Sequence, residues 1–121
     1  MFRFFSFLRG VSGNGAEVYQ CLGCGGLITY SDRLLSVSGS NRHLFLNPAG
    51  VECDFHTFTD CPGAAALGGA TEDHTWFLGY RWRMAFCRLC AQHLGWHYEA
   101  VTGLERPSEF WGILVNHLVT R

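Results

Sequence analysis

The sequence has no lysine, and all nine of its basic residues are arginines. Its 121 residues include ten acidic ones, which gives a formal net charge of −1. The chain therefore has no excess of positive charge to attract nucleic acid or an anionic membrane. Only three prolines accompany 15 glycines, which favours many short turns over long stiff linkers. Length and composition predict a single globular domain with neither nucleic acid nor membrane as a partner.

Long hydrophobic runs are also missing, since a membrane-spanning helix needs about 20 apolar residues. The phenylalanine-rich start of the chain is interrupted by Arg3 and Ser6 and ends at Arg9. It lacks a small-residue cleavage pattern and so does not match a signal peptide. We expect residues 1–15 to form a flexible tail and residues 16–121 to form the domain. Cysteines kept reduced for a metal would fit a cytoplasmic location.

Familiar catalytic signatures are absent as well. The sequence has no GxSxG, no GxGxxG or P-loop, and no HExxH motif. Its six histidines show no metal-ligand spacing, which is typical of surface or hydrogen-bonded positions. The residues give no direct indication of an enzyme.

The chain does contain two CxxC motifs, Cys21-Leu-Gly-Cys24 and Cys87-Arg-Leu-Cys90. Two thiolates held across a tight turn make half of a tetrahedral zinc site, and two such halves complete it. Disulfides are the alternative, but six cysteines in 121 residues are too few for a disulfide scaffold. We predict one structural zinc ion bound by these four cysteines. Four protein ligands leave no open position for metal catalysis.

Alternation of apolar and polar residues predicts a mostly β protein, because no segment carries a sustained helical stripe. Strands are expected at residues 18–21, 27–30, 42–47, 51–58, 82–86, 94–98 and 110–115. The Asn47-Pro48-Ala-Gly50 segment is a strong turn signal between two of them. Residues 59–71 are small and weakly patterned, and we expect them to form a loop.

Three tryptophans flank the second CxxC motif: Trp76, Trp82 and Trp96. Aromatic residues dominate protein cores, but full burial of three indoles is uncommon because each N–H then needs a partner. Their spacing leaves open both a core and an exposed aromatic cage. A cage would accept a flat or cationic ligand through its apolar faces. His74 lies two residues before Trp76, where its ring could reach the mouth of such a cage.

The order of the motifs is more specific than any one of them. It runs CxxC, Asn47-Pro-x-Gly50, His74-Thr-Trp-Phe-x-Gly-Tyr-x-Trp82, CxxC, His93-Leu-Gly-Trp-x-Tyr98 and Phe110-Trp-Gly. This order resembles the thalidomide-binding domain of cereblon, known as the CULT domain, over residues 18–115. The resemblance implies a β-tent fold, in which two antiparallel sheets are pinned by a four-cysteine zinc site.

The resemblance also implies a binding module rather than an enzyme. Its ligands would be cyclic imides: glutarimide and thalidomide-type drugs, uracil-like rings, and cyclic-imide C-termini of damaged proteins. The three tryptophans would be cage walls with Tyr98 as a further aromatic wall, and backbone groups near His74 would bind the imide. The implied ligand-binding residues are Asn47, Pro48, His74, Thr75, Trp76, Trp82, Trp96 and Tyr98. Cereblon's Lon-like domain and adaptor-docking helical region have no counterpart here, so we expect a stand-alone module that recruits no ubiquitin ligase.

Two other functions fit parts of the pattern. Methionine-R-sulfoxide reductases share the zinc-pinned β-tent, but they need a late catalytic cysteine, and only Cys53 or Cys61 could replace it. These two cysteines could also form a redox pair or be inert, and no nearby basic cluster would lower a thiol pKa. A reader of methylated ammonium groups would use the same aromatic cage through cation–π contacts, with Glu72 and Asp73 just before the cage motif.

Overall fold

The computed structural model describes residues 15–120, which form a protein built almost entirely of β-strands. Except for Gly15, the predicted tail over residues 1–15 lies outside the described residues. The strands are β1 (Val18–Cys21), β2 (Leu27–Tyr30), β3 (Arg42–Leu46), β4 (Glu52–Phe58), β5 (Ala64–Thr71), β6 (Tyr80–Cys87), β7 (His93–Ala100), β8 (Glu109–Leu114) and β9 (Leu118–Thr120). Between residues 15 and 120 the helical segments are single 3-10 turns at Ser31–Arg33 and Val115–His117. In this part of the chain no helix is long and apolar enough to cross a membrane.

The strands form two antiparallel sheets. The smaller sheet has the order β2-β1-β9, and the larger has the order β3-β4-β8-β7-β6-β5. Strand β1 ends in the first CxxC knuckle, while β6 and β7 flank the second, so the four cysteines meet where the two sheets are joined. The prediction of a mostly β fold, with two antiparallel sheets and a four-cysteine cluster, is confirmed.

The prediction of a loop over residues 59–71 is wrong for most of that segment. Residues 64–71 form β5, an edge strand that pairs with β6 from Ala64 opposite Cys87 to Leu67 opposite Met84. Alanine and glycine give little hydrophobic contrast between the two faces of a strand, so alternation does not reveal it. The three-residue strand β9, which pairs with β1, is too short to produce a pattern at all.

Each face of the larger sheet has its own core, because successive residues of a strand point to opposite faces. In β8, Ile113 belongs to a cluster beside the smaller sheet, whereas Phe110 and Leu114 belong to a second cluster. The first cluster also contains buried Cys21 and Cys87. The second cluster supports three half-buried tryptophans: Trp76, Trp82 and Trp96.

Two close approaches in these cores require glycine. A Cβ atom at Gly63 would collide with the backbone carbonyl of Leu27, at the point where the Gly63 N–H donates to Ile28 across a 2.9 Å hydrogen bond. A Cβ atom at Gly112 would lie 2.9 Å from the ring of Phe55. Gly63 therefore sets how closely the start of β5 approaches β2, and Gly112 sets how closely Phe55 approaches the larger sheet.

We expect Gly63→Ala to lower the free energy of unfolding by about 2–3 kcal/mol, because the new methyl group must displace backbone rather than a flexible side chain. Gly69→Ala is the matched control, since a Cβ there meets no atom within 4 Å. The control should change stability by about 0.5 kcal/mol or less. Urea unfolding measures both, and equal midpoints for the two variants would contradict the close approach.

Candidate functional site

Four cysteines that are distant in sequence meet at one point. The sulfur atoms of Cys21, Cys24, Cys87 and Cys90 all lie within 4.8 Å of one another. Cys21 and Cys90 are 3.6 Å apart at sulfur, and Cys24 and Cys87 are 3.7 Å apart. In a tetrahedral site with zinc–sulfur bonds of about 2.3 Å, the sulfur atoms are about 3.8 Å apart. Two of the six sulfur–sulfur distances therefore match a tetrahedral zinc site, and the others lie within 4.8 Å.

The two knuckles have the same backbone geometry, but the pKa values of their thiols shift in opposite directions, since the pKa of Cys87 is lowered and those of Cys24 and Cys90 are raised. Each knuckle closes through a backbone hydrogen bond, from Gly25 to Cys21 and from Ala91 to Cys87. Gly25 and Ala91 both have left-handed backbones, with φ of 77° and 66°. Burial alone would raise the pKa of Cys87, but backbone N–H groups of its own knuckle and the neighbouring thiols lower that pKa to about 7. Thiolate is the form of cysteine that binds a metal.

A cavity of about 310 Å³ opens against β6 and β7. This volume is at the lower end of the range for small-molecule sites. The lining residues are Asn47, Pro48, His74, Trp76, Trp82, Met84, His93, Trp96 and Tyr98. The lining thus contains seven of the eight implied ligand-binding residues and lacks Thr75. The Thr75 hydroxyl instead contacts the backbone of Phe77, so this side chain shapes the loop before β6.

Trp76 and Trp96 meet at a right angle, with ring centroids 5.1 Å apart and planes at 84°. Phe45 and Phe55 stack on Trp76 at 5.4 and 5.5 Å. Phe55 also meets Trp96 edge-on at 5.8 Å. The corner formed by Trp76 and Trp96 therefore packs against the core on one side and faces the cavity on the other.

Backbone carbonyls hold two of the indoles in place. The Trp82 Nε1 donates to the carbonyl of Asp73 at 2.9 Å, and the Trp76 Nε1 donates to the carbonyl of Leu46 at 3.3 Å. An indole whose N–H is already satisfied offers a ligand mainly its apolar face. These walls therefore provide shape and apolar contact, and the polar selectivity must come from other groups.

Tyr98 lies deeper than the tryptophans. Its side chain is buried, stacked on Phe110 at 4.9 Å and in edge contact with Phe77 at 5.0 Å. Burial raises the pKa of Tyr98 well above its usual range, so its hydroxyl stays protonated. Tyr98 forms the floor of the cavity, where the resemblance had implied a further wall.

The loop before β6 supplies polar backbone groups at the rim. His74 is exposed and has φ of 55°, an uncommon backbone conformation for a residue other than glycine. The Thr75 N–H donates to the Glu72 carbonyl at 3.1 Å and so closes the turn. Within residues 15–120 neither the His74 carbonyl nor the Trp76 N–H has a hydrogen-bond partner. An acceptor and a donor are thus available two residues apart.

Asn47 serves mainly to hold its own turn. Its Oδ1 accepts hydrogen bonds from the N–H groups of Ala49 and Val51, both at 2.9 Å. The side-chain oxygen is therefore committed, and the amide nitrogen is the polar group that remains for a ligand.

Two lining residues, Met84 and His93, were not expected. Met84 shares a strand face with Trp82, so the period-two alternation of β6 could have identified it. His93 lies three residues before Trp96, so in a regular strand the two side chains would face opposite sides of the sheet. They line the same cavity because a bulge leaves Leu94 unpaired between β6 and β7. A single-residue bulge cannot be deduced from alternation. Burial lowers the pKa of His93, whose Nε2 lies 2.9 Å from the Gly95 carbonyl and donates to it.

The remaining two cysteines do not form a pair. Cys53 belongs to the core that supports the tryptophans, whereas Cys61 belongs to the core beside the smaller sheet. Burial raises the pKa of both thiols. Because a buried, protonated thiol is a poor nucleophile, this placement supports the inert interpretation and gives no support to sulfoxide-reductase chemistry.

We expect the purified protein to contain about one zinc ion per chain and Cys90→Ser to abolish folding. Structural zinc contributes about 10–16 kcal/mol, which matches or exceeds the whole stability of a typical domain. Cys53→Ala is the control, because it removes a buried thiol outside the cluster and should keep the metal. Metal analysis and circular dichroism measure the outcome. A folded Cys90→Ser protein without metal would exclude a structural role for zinc.

Comparison with known proteins agrees with this geometry. A family model, Yippee-Mis18, described as "Yippee zinc-binding/DNA-binding /Mis18, centromere assembly", matches residues 17–117. This range includes all four cysteines of the cluster and all the residues that line the cavity.

Curated relatives include cereblons from several animals. The chain is 32% identical to cereblon of Gallus gallus over 77 residues, which cover 64% of the chain and 17% of the relative. It is 35% identical to cereblon of Danio rerio over 69 residues, 57% of the chain and 16% of the relative. For Drosophila willistoni the identity is 31% over 102 residues, 80% of the chain and 16% of the relative. The chain thus spans about a sixth of the length of these relatives. The protein belongs to the Yippee-Mis18 zinc-binding family and carries a cereblon-like CULT domain.

Proposed function

We propose that the protein binds six-membered cyclic imides in the cavity between Trp76, Trp82 and Trp96. The observation that carries this proposal is the pair of unpartnered backbone groups at the rim, the His74 carbonyl and the Trp76 N–H. An imide presents one N–H donor flanked by two carbonyl acceptors along one edge. The His74 carbonyl would accept the imide N–H, and the Trp76 N–H would donate to one ring carbonyl.

The division of roles follows from the lining. Three indole faces give apolar contact to any flat ring, so they supply affinity with little selectivity. The two backbone groups supply selectivity, because a ring without an imide edge would leave both of them unpaired. Ligands of this class are glutarimide and thalidomide-type compounds, uracil-like rings, and a cyclic-imide C-terminus of a damaged protein.

In this proposal zinc is structural and the protein binds without catalysis. Four thiolates complete a tetrahedral zinc site and leave no coordination position for water or substrate. The metal, at one ion per chain, would hold the knuckle between β1 and β2 against the knuckle between β6 and β7.

Other ligand classes have less support. The family description includes DNA binding, but here Arg81 and Arg83 each contact Glu99, at 3.0 and 2.9 Å. A methylammonium ligand would call for an acidic group, and the lining residues described here include no aspartate or glutamate. The cytoplasmic location and the absence of membrane, nucleic-acid and ubiquitin-ligase partners stay predictions.

We expect Trp96→Ala to weaken glutarimide binding about ten- to a hundred-fold, because one apolar wall worth about 1–3 kcal/mol is removed. The melting temperature should move little compared with the effect of a zinc-ligand variant. Trp111→Ala is the matched control, since Trp111 is also half-buried but packs against the other core. It should keep full affinity. Calorimetry and thermal melts measure both, and loss of the fold in Trp96→Ala would make Trp96 a core residue.

Methylation of the imide nitrogen should abolish binding. N-methylglutarimide lacks the N–H donor, and its methyl group would press against the His74 carbonyl, which would then be left unpaired. Titration of the protein with glutarimide and with N-methylglutarimide compares the two rings directly. Equal affinities would show that the cavity selects by shape alone and would overturn the proposed hydrogen bonds.

A further inference from the structure

Tyr98 carries an unpaired hydroxyl at the floor of the cavity. Within residues 15–120 this hydroxyl has no hydrogen-bond partner, although the residue is only 1% exposed. The other buried tyrosine of the same core, Tyr80, donates its hydroxyl to the Pro107 carbonyl at 2.6 Å. A buried tyrosine hydroxyl normally finds such a partner, so the difference between the two residues needs an explanation.

The unpaired hydroxyl differs from the unpartnered polar atoms that are sealed in the core. The sealed, unpartnered side-chain atoms of the described residues are Gln20 Oε1, His43 Nε2 and His97 Nδ1, and the Tyr98 hydroxyl is not one of them. Phe77 and Phe110 cover the ring of Tyr98, and Tyr98 contributes to the cavity lining. The hydroxyl is therefore a polar group that an occupant of the cavity could satisfy, beside the Cys53 thiol that also lies near it.

We infer that Tyr98 selects among cyclic imides, favouring rings that carry a hydrogen-bonding nitrogen or oxygen on the side away from the imide nitrogen. The inference rests on the proposed function. His74 is exposed at the rim and Tyr98 is buried at the floor, so a ring bound by its imide edge near His74 directs its far side towards Tyr98. Glutarimide has only methylene groups there, whereas uracil has a ring N–H next to the carbon opposite the imide nitrogen.

Desolvation of the ligand determines what the Tyr98 hydroxyl contributes to binding. A ring nitrogen that leaves water for an apolar cavity loses its hydrogen bonds, and the Tyr98 hydroxyl restores one of them. A methylene group neither needs nor supplies such a partner, so it leaves the hydroxyl unpaired. Selectivity for the heteroatom therefore depends on a single oxygen atom, while the ring of Tyr98 supports any ligand of the right shape.

The test uses two rings that differ at one position. Piperazine-2,6-dione is glutarimide with an N–H in place of the methylene group opposite the imide nitrogen. Calorimetry of both rings with the wild-type protein, Tyr98→Phe and Tyr80→Phe gives the ratio of their affinities in each protein. We expect Tyr98→Phe to lower the ratio of the affinity for piperazine-2,6-dione to the affinity for glutarimide about tenfold. Tyr80→Phe should leave the wild-type ratio unchanged.

An unchanged ratio in Tyr98→Phe would overturn the inference while leaving the proposed function intact, because both rings would still bind. If the wild-type protein bound neither ring, the proposed function would fail and the inference with it. Thermal melts give an independent check. Tyr98→Phe removes a hydroxyl without a protein partner and should melt no lower than wild type, whereas Tyr80→Phe loses a hydrogen bond and should melt lower. A lower melting temperature for Tyr98→Phe would show that its hydroxyl is paired within the protein.

Discussion

The four-cysteine cluster is the constraint on which the rest of the structure depends. It joins the knuckle between β1 and β2 to the knuckle between β6 and β7, and so links the two sheets. Trp82 lies on β6 and Trp96 on β7, the two strands that the second knuckle connects. The position of this knuckle therefore determines the mutual position of two walls of the cavity. Under the proposal that the cluster binds a structural zinc ion, metal binding offsets the entropy of closing so long a loop.

A second layer of aromatic rings holds the tryptophan side chains in place. Phe45 and Phe55 stack on Trp76, and Phe55 also contacts Trp96, so the corner does not depend on the ligand for its shape. Preorganisation of this kind reduces the entropy lost on binding, which matters most for a ligand with few atoms. A rigid site of this kind suits the small cyclic imides that are proposed as its ligands.

Several features could be predicted from the sequence because they follow from strong local patterns. Paired cysteines, alternating strands and the Asn47-Pro48 turn are of this kind. Strand β5 could not be recognised, since its small residues carry no contrast between faces. The contribution of His93 depends on a bulge, and the availability of the His74 carbonyl depends on a left-handed backbone. Such features arise from tertiary pairing, which no single segment encodes.

Gly112 couples the positions of two walls of the cavity, Trp76 and Trp96. It lies opposite Trp96 in the pairing of β7 with β8, and its missing side chain is the space that Phe55 occupies. Because Phe55 touches both Trp76 and Trp96, any enlargement at position 112 would move the two indoles together. A larger residue at position 112 would therefore reshape the corner between Trp76 and Trp96 as a whole and not one wall alone.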